Sequence, residues 1–316
     1  MLHLRMIIPP DRTTSAVELI ESTVGATHLV VLPGAARDPV GDLVTCDAAR
    51  ESADELLHRL REMKIDQDGS IAVENIDLSM STRADAAEEA APGEGADAVI
   101  WEQLAESSHE ESTLSFTYFS FMLLATMIAA CGVVLDNAIL IVGAMAVGPE
   151  FGPLAGVCTA IVQRAPRLAA RSLTALLIGF ASAILVTTVF SLLMTWMGLF
   201  SRDMLDGARP QTSFIWQPDP FSFVVALLAG AAGTLSLTSS KSGALVGVAI
   251  SVTTVPAAAN AAVALSYGEF AQMGGSIGQL LLNLLGIMLA GTATLYLQKK
   301  LWHSHRGRLK RRLRRG

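Results

Sequence analysis

Charge is what this chain has least of. Only 16% of its 316 residues are Asp, Glu, Lys or Arg, while 51% are hydrophobic and the mean hydropathy is +0.46. An ordinary soluble domain carries about 25% charge, so a wholly water-soluble globule is excluded and most of the chain is expected in lipid. Cysteine is equally scarce. Cys46, Cys131 and Cys158 form no pair at metal-ligand spacing, which argues against a zinc site or a disulfide framework. No phosphate loop or metal signature is present and no nucleophile elbow is expected, so neither an enzyme nor a cofactor is anticipated. The opening MLHLRMIIPPD has too short an apolar run for a secretory signal, which leaves the N-terminus in the cytoplasm.

The charge that is there is unevenly placed. Positions 1–115 hold 23 acidic and 8 basic residues, and positions 116–316 hold 6 acidic and 15 basic. An acidic soluble part therefore precedes a basic membrane part. Residues 1–80 alternate between strand and helix patterns. LHLRMII at 2–8 is a strand stopped by Pro9 and Pro10, and Val17, Leu19, Ile20 and Val24 give a helix its apolar side. THLVVL at 27–32 and DLVTCD at 42–47 are two further strands; Ala53, Leu56, Leu57, Leu60 and Met63 repeat at helical spacing, and IAVENIDL at 71–78 is a last strand. The order βαββαβ is that of a small α+β ferredoxin-like domain, either regulatory or an oligomerisation module. His28 and His58 stand alone and are not taken as metal ligands. Residues 81–95, rich in Ala, Glu, Gly and Pro, are expected to be a linker. Residues 96–113 suit a juxtamembrane amphipathic helix with Trp101 at the headgroups, so that 81–115 bridges to the membrane.

Six apolar stretches long enough to cross a bilayer core of roughly 30 Å lie at 116–134, 138–163, 172–199, 221–240, 243–265 and 276–297. The domain 116–298 is thus expected to be membrane all-α. Arg164, Arg167, Arg171 and Lys241 fall at junctions on one side, as does the tail 299–316 with nine Lys or Arg. The positive-inside rule places both termini in the cytoplasm of a bacterial plasma (inner) membrane. The tail is expected to meet anionic lipid headgroups rather than nucleic acid, and a homo-oligomer is expected. Short turns at 135–137 and 239–242 open each half with a helical hairpin, and three intervening spans invert the second copy, giving two inverted three-helix repeats.

Both repeats carry an interrupted second helix. In one the interruption is at Gly148, Pro149, Gly152 and Pro153, and in the other at Pro256. Proline frees backbone groups that lipid cannot satisfy, so these segments must face protein, water or a solute; a plain structural kink is the alternative. Glu150 lies mid-span, where a carboxylate costs roughly 2.5 kcal/mol or more unless hydrated, paired or protonated. With Ser251, Thr253, Thr254 and Asn260 it forms a candidate transport or ion-binding set in which Glu150 is the titrating group. GAMAVGPEFGPLAG at 143–156 and VGVAISVTTVPAAAN at 246–260, behind a ferredoxin-like domain, resemble the bacterial membrane family catalogued as domain of unknown function 389. That resemblance spans about 116–297 and implies a six-span hydrophobic protein with no agreed activity. The family motif reads more like GAMLISPLMGP, so Gly148 stands for a common serine and Glu150 for an apolar residue. The expected function is a secondary transporter or ion-coupled permease for a small solute or ion. An ion channel, or a non-transporting sensor or scaffold, remains open beside it.

Overall fold

The computed structural model describes residues 1–76, 78–91, 99–217, 219–238 and 254–313, with the side chains of the last helix described to residue 301. The chain forms two compact units. One comprises Met1–Leu104 with Thr238 and the chain from Lys299; the other comprises the remaining described residues from Ala105 to Gln298.

The first unit is built on β1 (Leu2–Ile8), α1 (Pro10–Glu21), β2 (Ala26–Arg37), β3 (Val40–Ala48), α2 (Arg50–Glu62), α3 (Ile65–Asp68) and β4 (Ser70–Asn75). The four strands make one antiparallel sheet in the order β2-β3-β1-β4. β3 thus lies between β1 and β2, the split βαβ arrangement. Period-2 alternation sends Leu2, Leu4, Met6 and Ile8 of β1 inward onto Leu56, Leu57 and Leu60 of α2 and Leu19 and Ile20 of α1. Each such burial contributes about 1.5–3 kcal/mol.

Three local expectations are corrected. Val24 is exposed and Val17 only half-buried, because α1 ends at Glu21 and turns Thr13 and Ala16 inward instead. β2 continues through Pro33 and Gly34, which its edge position tolerates. Register shifts interrupt it at Thr27/Val30 and Leu32/Ala36. His28, at φ 51°, lies in the first irregularity. There its Nδ1 meets Asp47 at 2.7 Å, as does the Nδ1 of His3, and its Nε2 meets Ser81 Oγ at 2.9 Å. Finally, the expected linker contains α4 (Thr82–Ala90). Ser81 caps it by accepting from Ala84 N at 3.3 Å, Ala84 is buried, and the Met1 amino group donates to Glu88 Oε1 at 2.8 Å.

α5 (Trp101–Glu111) follows. Ile100 joins the core of the first unit, Trp101 N donates to Asp54 Oδ1 at 3.2 Å, and the Lys299 ammonium lies 5.5 Å from the Trp101 ring centre. The main chain at Trp101 is therefore tied to α2 and its ring to Lys299.

The second unit holds α6 (Phe116–Val134), α7 (Ala138–Val147), α8 (Phe151–Gln163), α9 (Pro166–Trp196), α10 (Arg202–Asp206), α11 (Pro220–Thr238, as far as Leu237), α12 (Thr254–Tyr267) and α13 (Phe270–Leu313, as far as Gln298). Among the described residues four helices are long and apolar enough to cross a membrane, and α7 with α8, bent by 55° at their junction, makes a fifth if counted as one span. This is a membrane protein. Six spans are not reached among the described residues, since 239–253, with the turn 239–242 and the first half of the stretch 243–265, lies outside them.

Contacts between turns fix the helix directions. Asp136, in the α6–α7 turn, accepts from Gln211 N at 3.1 Å and Thr212 Oγ1 at 2.9 Å. Arg209 donates to Asn260 and Gln272, and Arg202 pairs with Glu269. The α6–α7 turn, the 197–219 segment and the α12–α13 turn thus share one end. α6, α9 and α12 run toward it, and α7, α11 and α13 run away from it. At the other end Arg171 meets His109 Nε2 at 2.9 Å and donates to Thr113 Oγ1 at 2.6 Å. Hydroxyls tie α6 to α9, with Thr187 donating to Thr126 at 3.0 Å and Tyr118 to the Ala175 carbonyl at 3.1 Å.

Candidate functional site

Two helices differ from the rest in being covered on every side. Every residue from Gly152 to Ala160 in α8 and from Thr254 to Ala264 in α12 is buried, while α9, α11 and α13 each leave large leucines exposed along one side. Both covered helices carry proline; Pro153 is the third residue of α8, where the missing N–H has no partner to lose, and Pro256 lies within the described part of α12. Their small side chains permit this close packing.

The break between α7 and α8 is Gly148-Pro149-Glu150. Glu150 is 1% exposed, and its Oε1 accepts from Thr254 Oγ1 at 2.8 Å, which joins the two proline-bearing helices. Its Oε2 is buried and has no hydrogen-bond partner. Gly148 makes room for this arrangement: a Cβ there would run into the Glu150 carboxylate and lie 2.9 Å from Val255 Cγ2. A Cβ on Gly152 would run into Glu111, a carboxyl pushed up by burial and by neighbouring Glu110.

Glu150, Gly148, Pro149 and Thr254 are therefore brought together, with Gly152 and Pro153 in the first turn of α8 and Pro256 two residues beyond Thr254 in α12. Asn260 is elsewhere. Its Oδ1 accepts from Arg209 Nη1 at 2.9 Å and its Nδ2 donates to Ser276 Oγ at 2.7 Å, so it belongs to a polar cluster near the shared end. Arg209 is 6% exposed and also donates to Gln272 Oε1 at 2.9 Å. Burial pulls its guanidinium below the usual arginine range, and Asp136 and Asp206 oppose this. Ser251 and Thr253 lie outside the described residues.

A set of residues beyond the expected one joins the picture. Gln279 and Asn283 of α13 are 0% exposed, and among the described residues neither amide has a partner for its nitrogen or its oxygen. Thr159 of α8 is buried with an unpartnered hydroxyl as well. A buried polar group without a partner costs about 1–3 kcal/mol, so these side chains are expensive to keep. The signal for them is in the sequence: Gln272, Ser276, Gln279 and Asn283 recur at helical spacing along one face of an apolar span. The nearby stretch GGSIG at 274–278 has the spacing of a nucleophile elbow, which was not expected. Ser276 sits inside α13, however, bonded to Asn260 and to the Gln272 carbonyl, not on a strand-to-helix turn. No group of three His, Cys, Asp or Glu suited to a metal gathers among the described residues.

Residues 145–289 match the family model described as domain of unknown function DUF389, and the resemblance read from the two proline motifs is borne out there. An uncharacterized protein of Methanocaldococcus jannaschii is 26% identical over 192 residues, covering 61% of this chain and 57% of that protein. The chain thus matches less than two thirds of that relative's length. No solved structure matches.

Proposed function

We propose that this DUF389 membrane protein is a secondary transporter, an ion-coupled permease whose pathway passes the junction of α7, α8 and α12. One observation carries the reading: a carboxylate buried at a helix break, held by one bond from Thr254 and left with an open oxygen. Transport sites in membranes are commonly built where helices are interrupted and backbone or side-chain groups stay unsatisfied until a solute arrives. The helix directions support an inverted repeat, since α6 runs toward the shared end and α11, its counterpart, away from it. In the six-span form of this reading the end bearing Arg164, Arg167 and Arg171 faces the cytoplasm, together with the N-terminal unit, which regulates or assembles the transporter.

The test is Glu150→Gln in proteoliposomes loaded with a pH-sensitive dye. The substitution keeps the shape and the acceptor for Thr254 but removes the titratable group. The variant should fold and lose proton-linked or cation-linked flux at least tenfold. Unchanged flux and pH dependence would overturn the assignment of Glu150, and absence of any flux in the unaltered protein would favour a sensor or scaffold.

A further inference from the structure

The unmet hydrogen-bonding capacity of α13 reaches the depth of Glu150, with Asn283 level with it and Gln279 about 6 Å nearer the shared end. The Asn260–Ser276 bond ties α12 to α13, and the short turn at Gly268 makes the two helices antiparallel neighbours. Counting from that bond at 1.5 Å per residue, Thr254 lies about 9 Å along α12 and Asn283 about 10 Å along α13, so the two arrive at a common depth. An independent contact agrees. Cys158 of α8 meets the Met288 carbonyl at 3.5 Å, and α8 and α13 run the same way, so the start of α8 beside Glu150 falls near residues 280–283.

We propose that Gln279 and Asn283 complete a binding site for a monovalent alkali cation, sodium or potassium, whose charge Glu150 balances. The inference rests on the transport reading above and names its ion. Two amide carbonyl oxygens, one hydroxyl and one carboxylate are hard oxygen ligands carrying a single negative charge. A calcium site gathers six to eight oxygens with several carboxylates, and softer metals require the His or Cys groups that do not cluster among the described residues. An anion would meet the charge of Glu150, and the one buried arginine among the described residues, Arg209, is committed to Asn260 and Gln272 and faces Asp136 and Asp206. The two amide nitrogens suit the waters that a partly hydrated ion retains.

The experiment is thermal unfolding of the full chain in detergent micelles at constant ionic strength, with sodium, potassium or N-methylglucamine chloride. A ligand that binds only the folded state raises the melting temperature saturably. Sodium or potassium should do so and N-methylglucamine should not. Asn283→Leu and Gln279→Leu should melt higher than the unaltered protein in N-methylglucamine, because they remove unpartnered amides, and should require at least tenfold more alkali cation for any shift. Asn283→Ser and Gln279→Met serve the same purpose where the leucine variants do not fold. An unaltered protein with no alkali-dependent shift, or variants that keep it in full, overturns the site. If proton flux through Glu150 persists in the first case, the transport reading stands without it.

Discussion

The bond between Thr254 and Glu150 can be weighed by a double-mutant cycle of Thr254→Val and Glu150→Leu. Thr254→Val strips the buried carboxyl of its one side-chain donor. Glu150→Leu removes the acceptor and leaves the Thr254 hydroxyl unmatched. A hydrogen bond to a charged group is worth about 1.5–3 kcal/mol and one between neutral groups about 0.5–1.5 kcal/mol. The 2.8 Å separation and near-complete burial place this bond at full strength for whichever form is present. If Glu150 is a carboxylate, the coupling energy should be about 1.5–3 kcal/mol, roughly a 10- to 150-fold difference in the folding equilibrium at 1.4 kcal/mol per decade. At a pH low enough to protonate it, the coupling should fall into the neutral range. The assay is reversible denaturant unfolding in mixed micelles for the four proteins at acid and alkaline pH. A coupling below about 0.3 kcal/mol at both pH values, within ordinary additivity error, would refute the contact as the joint between the two proline-bearing helices.

Cysteines placed at Ser213 and Ala271, in the segments that meet at the shared end, should react with impermeant thiol reagents from outside intact cells, and one at Ser304 should not; outside labelling at Ser304 would reverse the orientation. Gln272 is a poor reporter at that end because its side chain is held by Arg209. Burial pushes the Cys46 thiol from 9.0 up to about 12, with Asp47 adding to it. Cys46 should therefore resist maleimide at neutral pH until the domain unfolds. Because the folded state keeps this proton, its stabilising contribution is intact below pH 9 and is lost as pH rises from about 9 to about 12. Rapid labelling of the native domain, or stability flat across that range, would contradict the burial.

What the chain discloses in one dimension depends on whether a residue's partner follows from its own helix or strand. The alternation of Leu2, Leu4, Met6 and Ile8 and the helical spacing of Leu56, Leu57 and Leu60 state which face is inside, and the sheet obeys them. α4 is illegible by that rule: its Ala and Glu residues show no apolar period, and its placement rests on a cap at Ser81 and an ion pair with the distant Met1 amino group. At the candidate site, Gly148, Pro149 and Glu150 mark the break unaided, because proline and glycine act locally. Asn260 misleads for the opposite reason. Its partner Arg209 comes from an irregular segment 51 positions away, and no periodicity predicts that meeting. Gln279 and Asn283 were legible at helical spacing, but spacing alone says only that they share a face, not that their amides lack partners.

The embrace of α12 by the first half of the chain bears on how the protein is made. α12 packs chiefly on α6 and α9, with Thr188 donating to the Ala262 carbonyl and Thr195 meeting Tyr267. A ribosome that has delivered α6 to α9 has therefore built a vestibule whose central post is still untranslated. A nascent chain halted between α9 and α12 would hold an empty slot in the bilayer, open to lipid or to quality-control proteases. Two separately expressed halves, split within the 197–219 segment, would have to find one another before either matured. The molecule is in this sense assembled by interlocking, its early and late segments becoming a finished structure only together.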